Sequence, residues 1–377
     1  MAEDKSYVKL GLRVKKSKLY PHGWQEITQI PPDEPCVLAL GGIGTNDSKK
    51  ANGFTKMIIS ILKNKKIPVY GVEYNLSGRN FRIDREAVLA RYGQEDYRFP
   101  FINYVKEEDK TYIPQYIRQL YAATIAPRLR DENGNRISIQ KAAQRLNMLV
   151  FANHCQGATV MQQMEHLMQE DLITLGYPKN FHEYLYRQIH SVNVAPVSPI
   201  GVTKTTCFKF CSAADEKVTS VCTKQTEYIL DRRSEHNAFL AELKKKASER
   251  KQWYKPLIMN FLMLNPTKNE TIFAVNNMYP LEIQQNKELE GIEHAFDTYS
   301  DKDDDYRTKQ GDQLSFCFRD ILNWLVEHAK KNKDSLVELP NIAKVPALSS
   351  YIQRATNNRL DFMEREIALI RQRKQEK

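Results

Sequence analysis

Two patterns alternate along the chain: short unbroken apolar runs, the signature of buried strands, and stretches with apolar residues at helical intervals, the signature of amphipathic helices. Cys36 to Leu40 is the first clear strand. Gly41-Gly42-Ile43-Gly44-Thr45-Asn46 ends it, and Phe54, Met57, Ile58 and Ile61 follow at helical spacing. Ile67 to Tyr74 supplies the next strand, so strand, glycine turn, helix and strand form a unit that calls for parallel pairing. Two helical stretches between Thr111 and Gln144 are separated by the turn-like Asp131-Glu132-Asn133-Gly134-Asn135. Leu146 to Ala152 then reads as a buried strand, halted at Asn153-His154-Cys155-Gln156-Gly157-Ala158, with Val160, Met161, Met164 and Met168 opening a helix. Later strand candidates are Ile189 to Val197, Leu257 to Leu264 and Leu281 to Gln284. An amphipathic helix from Leu314 to Ala329 precedes a tail in which Leu360, Met363, Ile367 and Ile370 repeat as a narrow seam.

These elements predict an α/β fold: a mostly parallel sheet with helices on both faces over residues 31–335. Residues 1–30 read as a basic extension that Pro31-Pro32-Asp33-Glu34-Pro35 separates from the domain. The polar, helix-prone interval at about 200–255 reads as a helical lid insertion, and 336–377 as a C-terminal helical tail.

Composition narrows the class. Hydrophobic residues make up 41% and charged residues 27% of 377, which excludes disordered and low-complexity chains. The apolar run at Leu257 to Leu264 is far shorter than the roughly 20 residues that cross a bilayer. The first residues lack the basic and apolar regions of a secretory signal, so a cytoplasmic setting is expected, with signal-less export left open. Lys and Arg exceed Asp and Glu by 56 to 46, a formal charge of +10. The excess gathers at Lys15-Lys16-Ser17-Lys18, Lys244 to Lys251 and Arg371-Gln372-Arg373-Lys374, which suits an anionic partner or membrane surface. No nucleic-acid motif accompanies it, which argues against nucleic acid. The tail seam suits docking on the domain or pairing with a second copy.

The six cysteines are too scattered for a disulfide framework, and Cys207, Cys211 and Cys222 lack the second pair that a metal site needs. No metal and no cofactor is expected. Asp301-Lys302-Asp303-Asp304-Asp305 begins like a calcium loop, but Tyr306 stands where glycine is required. Cys155 differs from the other thiols in its setting. A cysteine at a sharp strand-to-helix turn projects above the sheet edge, and the following helix aims its N-terminus at the sulfur.

His154-Cys155-Gln156-Gly157 resembles the nucleophile elbow of the α/β-hydrolase superfamily, in particular its cysteine-nucleophile members such as dienelactone hydrolase. Asn153 and Ala158 stand where glycines are common in that family. Leu38 to Gly44 is similar to its strand and oxyanion turn, Val72 to Arg79 to its next strand and Gly-Arg turn, and Gly291-Ile292-Glu293-His294-Ala295-Phe296 to its histidine segment. The resemblance implies Cys155 as nucleophile, His294 as base and acid, and the N–H groups of Ile43 and Gln156 as the oxyanion hole. For the residue that orients His294 there are two candidates. Asn269, 25 residues before His294, fits by topology, whereas Asp215, 79 residues before it, fits by chemistry. Topology favours Asn269. His154 reads as a wall residue. The implied activity is hydrolysis of an ester, thioester or lactone of a small-molecule or lipid acyl substrate, or acyl transfer from the same site; the alternative is a non-catalytic scaffold with a basic surface.

Overall fold

A computed structural model describes residues 7–21, 23–42, 48–62, 65–74, 113–198, 203–212, 214–218, 269–275, 277–300, 305–340, 342 and 345. The strands are β1 (Val8–Arg13), β2 (Trp24–Ile27), β3 (Cys36–Leu40), β4 (Val69–Tyr74), β5 (Leu149–His154), β6 (His190–Val194), β7 (Thr206–Ser212) and β8 (Glu270–Val275). They form one eight-stranded sheet in the order β2-β1-β4-β3-β5-β6-β7-β8. From β4 through β8 every neighbouring pair is parallel. β1 runs against both β4 and β2 and is the one reversed strand among the described residues.

The helices are α1 (Ser48–Ile61), α2 (Gln115–Thr124), α3 (Ile139–Asn147), α4 (Gly157–Thr174), α5 (His182–Arg187), α6 (Leu281–Gln284), α7 (Phe296–Ser300) and α8 (Lys309–Lys331). They cover both faces of the sheet. Val37, Ala39, Val150, Ala152, Val192 and Phe210 pack with α1 and α8, while Leu38, Leu40, Leu149 and Phe151 pack with α2, α3, α4 and α5. Successive strand residues point to opposite faces, so unbroken apolar runs such as Cys-Val-Leu-Ala-Leu are what a sheet covered on both sides requires. Ser138 caps α3 through the Lys141 N–H, and Thr308 caps α8 through the Gly311 N–H. Among the described residues no helix is long and apolar enough to cross a membrane.

Several expectations need correction. Residues 1–30 are not wholly an extension, because β1 and β2 extend the sheet. Trp24 makes this possible by lying across Gly11 and Gly71, where any Cβ would collide with its ring or with Thr55. The lid interval cannot begin at 200, since Thr206–Ser212 is a buried strand of the sheet, paired on both sides; its remainder from 219 to 255 lies outside the described residues. Leu281–Gln284 is a single helical turn that follows Pro280, not a strand. The strand candidate Leu257 to Leu264 and the tail seam from Leu360 to Ile370 also lie outside the described residues.

Candidate active site at the carboxyl edge of the sheet

Because β3, β5, β7 and β8 are parallel, the chain leaves all four at one edge of the sheet. Gly42 follows β3, Cys155 follows β5, Asp215 follows β7 and His294 follows β8. The connection from β3 leads to β4 on one side, while β5 on the other side leads on to β6, so Gly42 and Cys155 flank the point where the strand order reverses. Crevices outside the carboxyl ends at such a point are where open α/β sheets bind ligands.

Cys155 occupies the left-handed region at φ 54°, which is costly for a residue with a Cβ and is held here by its neighbours. Its N–H donates to the Val194 carbonyl at 3.1 Å, and its own carbonyl accepts from Val197 N–H at 3.2 Å. Helix α4 starts two residues later, so the positive end of its dipole favours negative charge at the sulfur or on a bound oxygen. Two glycines make the turn possible. A Cβ on Gly157 would sit 2.3 Å from the Leu40 carbonyl oxygen, and one on Gly42 would sit 2.9 Å from the Cys155 Cβ and 3.3 Å from Sγ. The first lets α4 lie against β3; the second brings the turn after β3 onto the sulfur.

His294 is buried at the end of a short 3-10 turn, Ile292–His294, which Gly291 opens at φ 81°. Its Nδ1 lies 2.7 Å from Asp215 Oδ2. The Asp215 carboxylate is aimed by its own turn, with Oδ1 accepting from the N–H groups of Lys217 at 3.0 Å and Val218 at 3.3 Å. The Cys155 side chain also favours charge on this ring. His294 Nε2 is buried and has no hydrogen-bond partner of regular geometry. Burial opposes charge on the imidazole, but the hydrogen bond to Asp215 and the influence of Cys155 outweigh it, and the pKa rises from 6.5 to about 9.

Asn269 stands elsewhere. It immediately precedes β8, so it lies at the amino-terminal edge, and its side-chain amide donates to the Lys204 carbonyl at 2.7 Å. The expectation that topology favours Asn269 is therefore corrected: the residue the structure places on His294 is Asp215. A crossover between parallel strands ordinarily takes a dozen or more residues, usually with a helix. The chain instead passes from β6 to the adjacent parallel β7 within residues 195–205.

His154 packs between the rings of Phe54, Phe296 and His294 and donates from Nε2 to the His294 carbonyl at 2.8 Å. Burial lowers its pKa to about 4, so it is neutral at ordinary pH. Gln156 is fully buried at the start of α4, while Ile43 lies outside the described residues. The thiols of Cys207 and Cys211 are pushed up to about 12 by burial within β7, as expected of inert packing groups. Among the described residues no cluster of three or more His, Cys, Asp or Glu side chains could hold a metal ion.

No protein-family model matches the chain, and no curated protein matches it in sequence. The geometry therefore speaks for itself, and it includes three supporting residues that the sequence reading did not single out. The Tyr74 hydroxyl, at the end of β4, donates to the Gly41 carbonyl and pins the turn that lies on Cys155. Ser212 and Glu293 join the turns that carry Asp215 and His294. The signal available for each was position alone: Tyr74 ends a strand, Ser212 lies three residues before Asp215, and Glu293 is adjacent to His294.

Proposed function

We propose that the chain is a cysteine-dependent acyl-processing enzyme of the α/β-hydrolase type, in which Cys155, His294 and Asp215 form the reacting triad. The observation that carries this reading is the 2.7 Å contact between the buried His294 imidazole and the Asp215 carboxylate, at the same carboxyl edge of the sheet as the Cys155 turn. The left-handed turn at Cys155 and the N-terminus of α4 behind it add support.

The sulfur attacks an ester, thioester or lactone carbonyl, and the thiol proton goes to His294 Nε2. Asp215 accepts from Nδ1–H, fixing the tautomer and stabilising the imidazolium. The Gln156 N–H and that of Ile43 would receive the developing oxyanion, a contribution worth about 3 kcal/mol per donor in such sites. Collapse of the tetrahedral species breaks the bond to the leaving group, which departs with the proton from His294 and leaves a thioacyl group on Cys155. Water, an alcohol or an amine then attacks that carbonyl while His294 takes its proton, and the sulfur is released. Hydrolysis and transfer differ only in this second acceptor.

The test combines labelling and turnover. Iodoacetamide at neutral pH should alkylate Cys155 well ahead of the other cysteines. Short-chain thioesters should leave an acyl adduct on Cys155 by mass spectrometry, and Cys155→Ala should abolish their turnover. Equal alkylation of all thiols, together with undiminished turnover in the variant, would overturn the reading.

A further inference from the structure

Glu293 is a nearly buried carboxylate immediately before His294, and it is fully engaged. Oε1 accepts from the N–H groups of Met278 at 3.0 Å and Tyr279 at 2.9 Å, just beyond the end of β8. Oε2 accepts from Met278 N–H at 2.9 Å and from the Ser212 hydroxyl at 2.6 Å. Ser212 is the last residue of β7, and its oxygen also accepts from Ala214 N–H at 3.2 Å within the turn that presents Asp215. The same two turns are therefore linked twice, once by Asp215 to His294 and once by Ser212 to Glu293.

A single hydrogen bond between two loop side chains leaves both turns free to pivot about it. A second bond, made by residues one and three positions away, removes that freedom. The two Met278 and Tyr279 amides fix Glu293 to the exit of β8, so the Ser212 bond refers the His294 turn to β7 as well. Building this cradle from a carboxylate costs desolvation, since burial raises the Glu293 pKa against the opposing hydrogen bonds.

We propose that Glu293, acting through Ser212, is a positioning residue that holds the His294 imidazole in line between Asp215 and Cys155. The proposal deepens the triad reading and rests on it, but its consequence for the imidazole can be measured without turnover.

Ser212→Ala removes one hydrogen bond and leaves the Met278 and Tyr279 bonds in place, so it is the milder variant; Glu293→Gln is the second. In protein labelled with ¹⁵N-histidine, with His294 assigned by His294→Gln, the imidazole titration near 9 should move toward 6.5 in both variants. In thioester turnover, kcat should fall on the order of 10- to 100-fold with KM nearly unchanged. If Ser212→Ala folds and the His294 titration stays where it is, Glu293 only rivets the fold and the proposal is overturned. If the parent protein turns over no acyl substrate yet the titration shifts, the positioning stands and the acyl chemistry is what fails.

Discussion

Asp215 and His294 are 79 residues apart in sequence and meet at 2.7 Å, carboxylate to imidazole, because β7 and β8 are adjacent parallel strands that end at one edge. Asp215→Asn should keep the fold and lower turnover by about 10⁴-fold, the scale on which triad acids act. Asn269→Ala should leave turnover near that of the parent and cost about 1 kcal/mol in urea unfolding for its lost bond to Lys204. A large kinetic effect of Asn269→Ala would return the orienting role to that residue.

Alkaline pH should weaken the protein through His294. Its folded pKa of about 9 lies above the ordinary value of 6.5, so the stabilisation is fully present below about 6.5 and is lost as pH rises through 9. Thermal midpoints from pH 6 to 10 should decline across that window in the parent, and the decline should be smaller in Asp215→Asn, which lacks the carboxylate charge.

Acid acts through a different pair. His190 and His328 sit with rings 5.5 Å apart where β6 meets α8. Burial lowers His190 to about 3 and His328 to about 4, with the His328 charge adding to the first and Lys331 to the second. The unfolded chain takes up protons below about pH 6.5 that the folded chain refuses, so stability should fall from there toward pH 4. Neither ring nitrogen of His190 has a hydrogen-bond partner, so His190→Phe should reduce this acid slope without a large loss at pH 7. An unchanged slope would assign the acid sensitivity to other groups.

The two glycines of the turn should separate folding from chemistry. Gly157→Ala drives a Cβ against the Leu40 backbone and should cost about 1–3 kcal/mol, the range for overpacked sites. Gly42→Ala presses instead on the Cys155 side chain, so it should lower turnover at least about tenfold while the unfolding midpoint moves little. The reverse pattern would contradict the placement of the turn after β3.

Much of the scaffold was legible because its central strands are apolar on both faces. Cys36 to Leu40 has the observed bounds, and the strand read over Ile67 to Tyr74 begins two residues later, at Val69. β7 reads as an alternating, strand-like run around Cys207 and Cys211, but its lysine suggests a polar face. Lys209 is in fact fully buried and paired with Glu270 at 2.8 Å, a partner 61 residues away that no local pattern displays. β1 escaped for a similar reason: a glycine interrupts it, and the Trp24 ring that fills the gap comes from another strand. At the site, the strand-to-helix turn at Cys155 was visible from local residue types. The choice between Asp215 and Asn269 depended on which strand is followed by which loop, and β7 falls in the interval read as the lid.

Asn269 and Glu270 belong to a set of staples that also includes Glu165, whose carboxylate accepts from the N–H groups of Lys204 and Thr205 ahead of β7. They secure the rim where β7 and β8 begin, about 20 Å along the strands from the rim that carries Cys155 and His294. The molecule thus divides its labour lengthwise. An injury among the staples should surface as premature melting with chemistry per folded molecule intact, whereas one at the far rim should leave a durable protein with nothing to do.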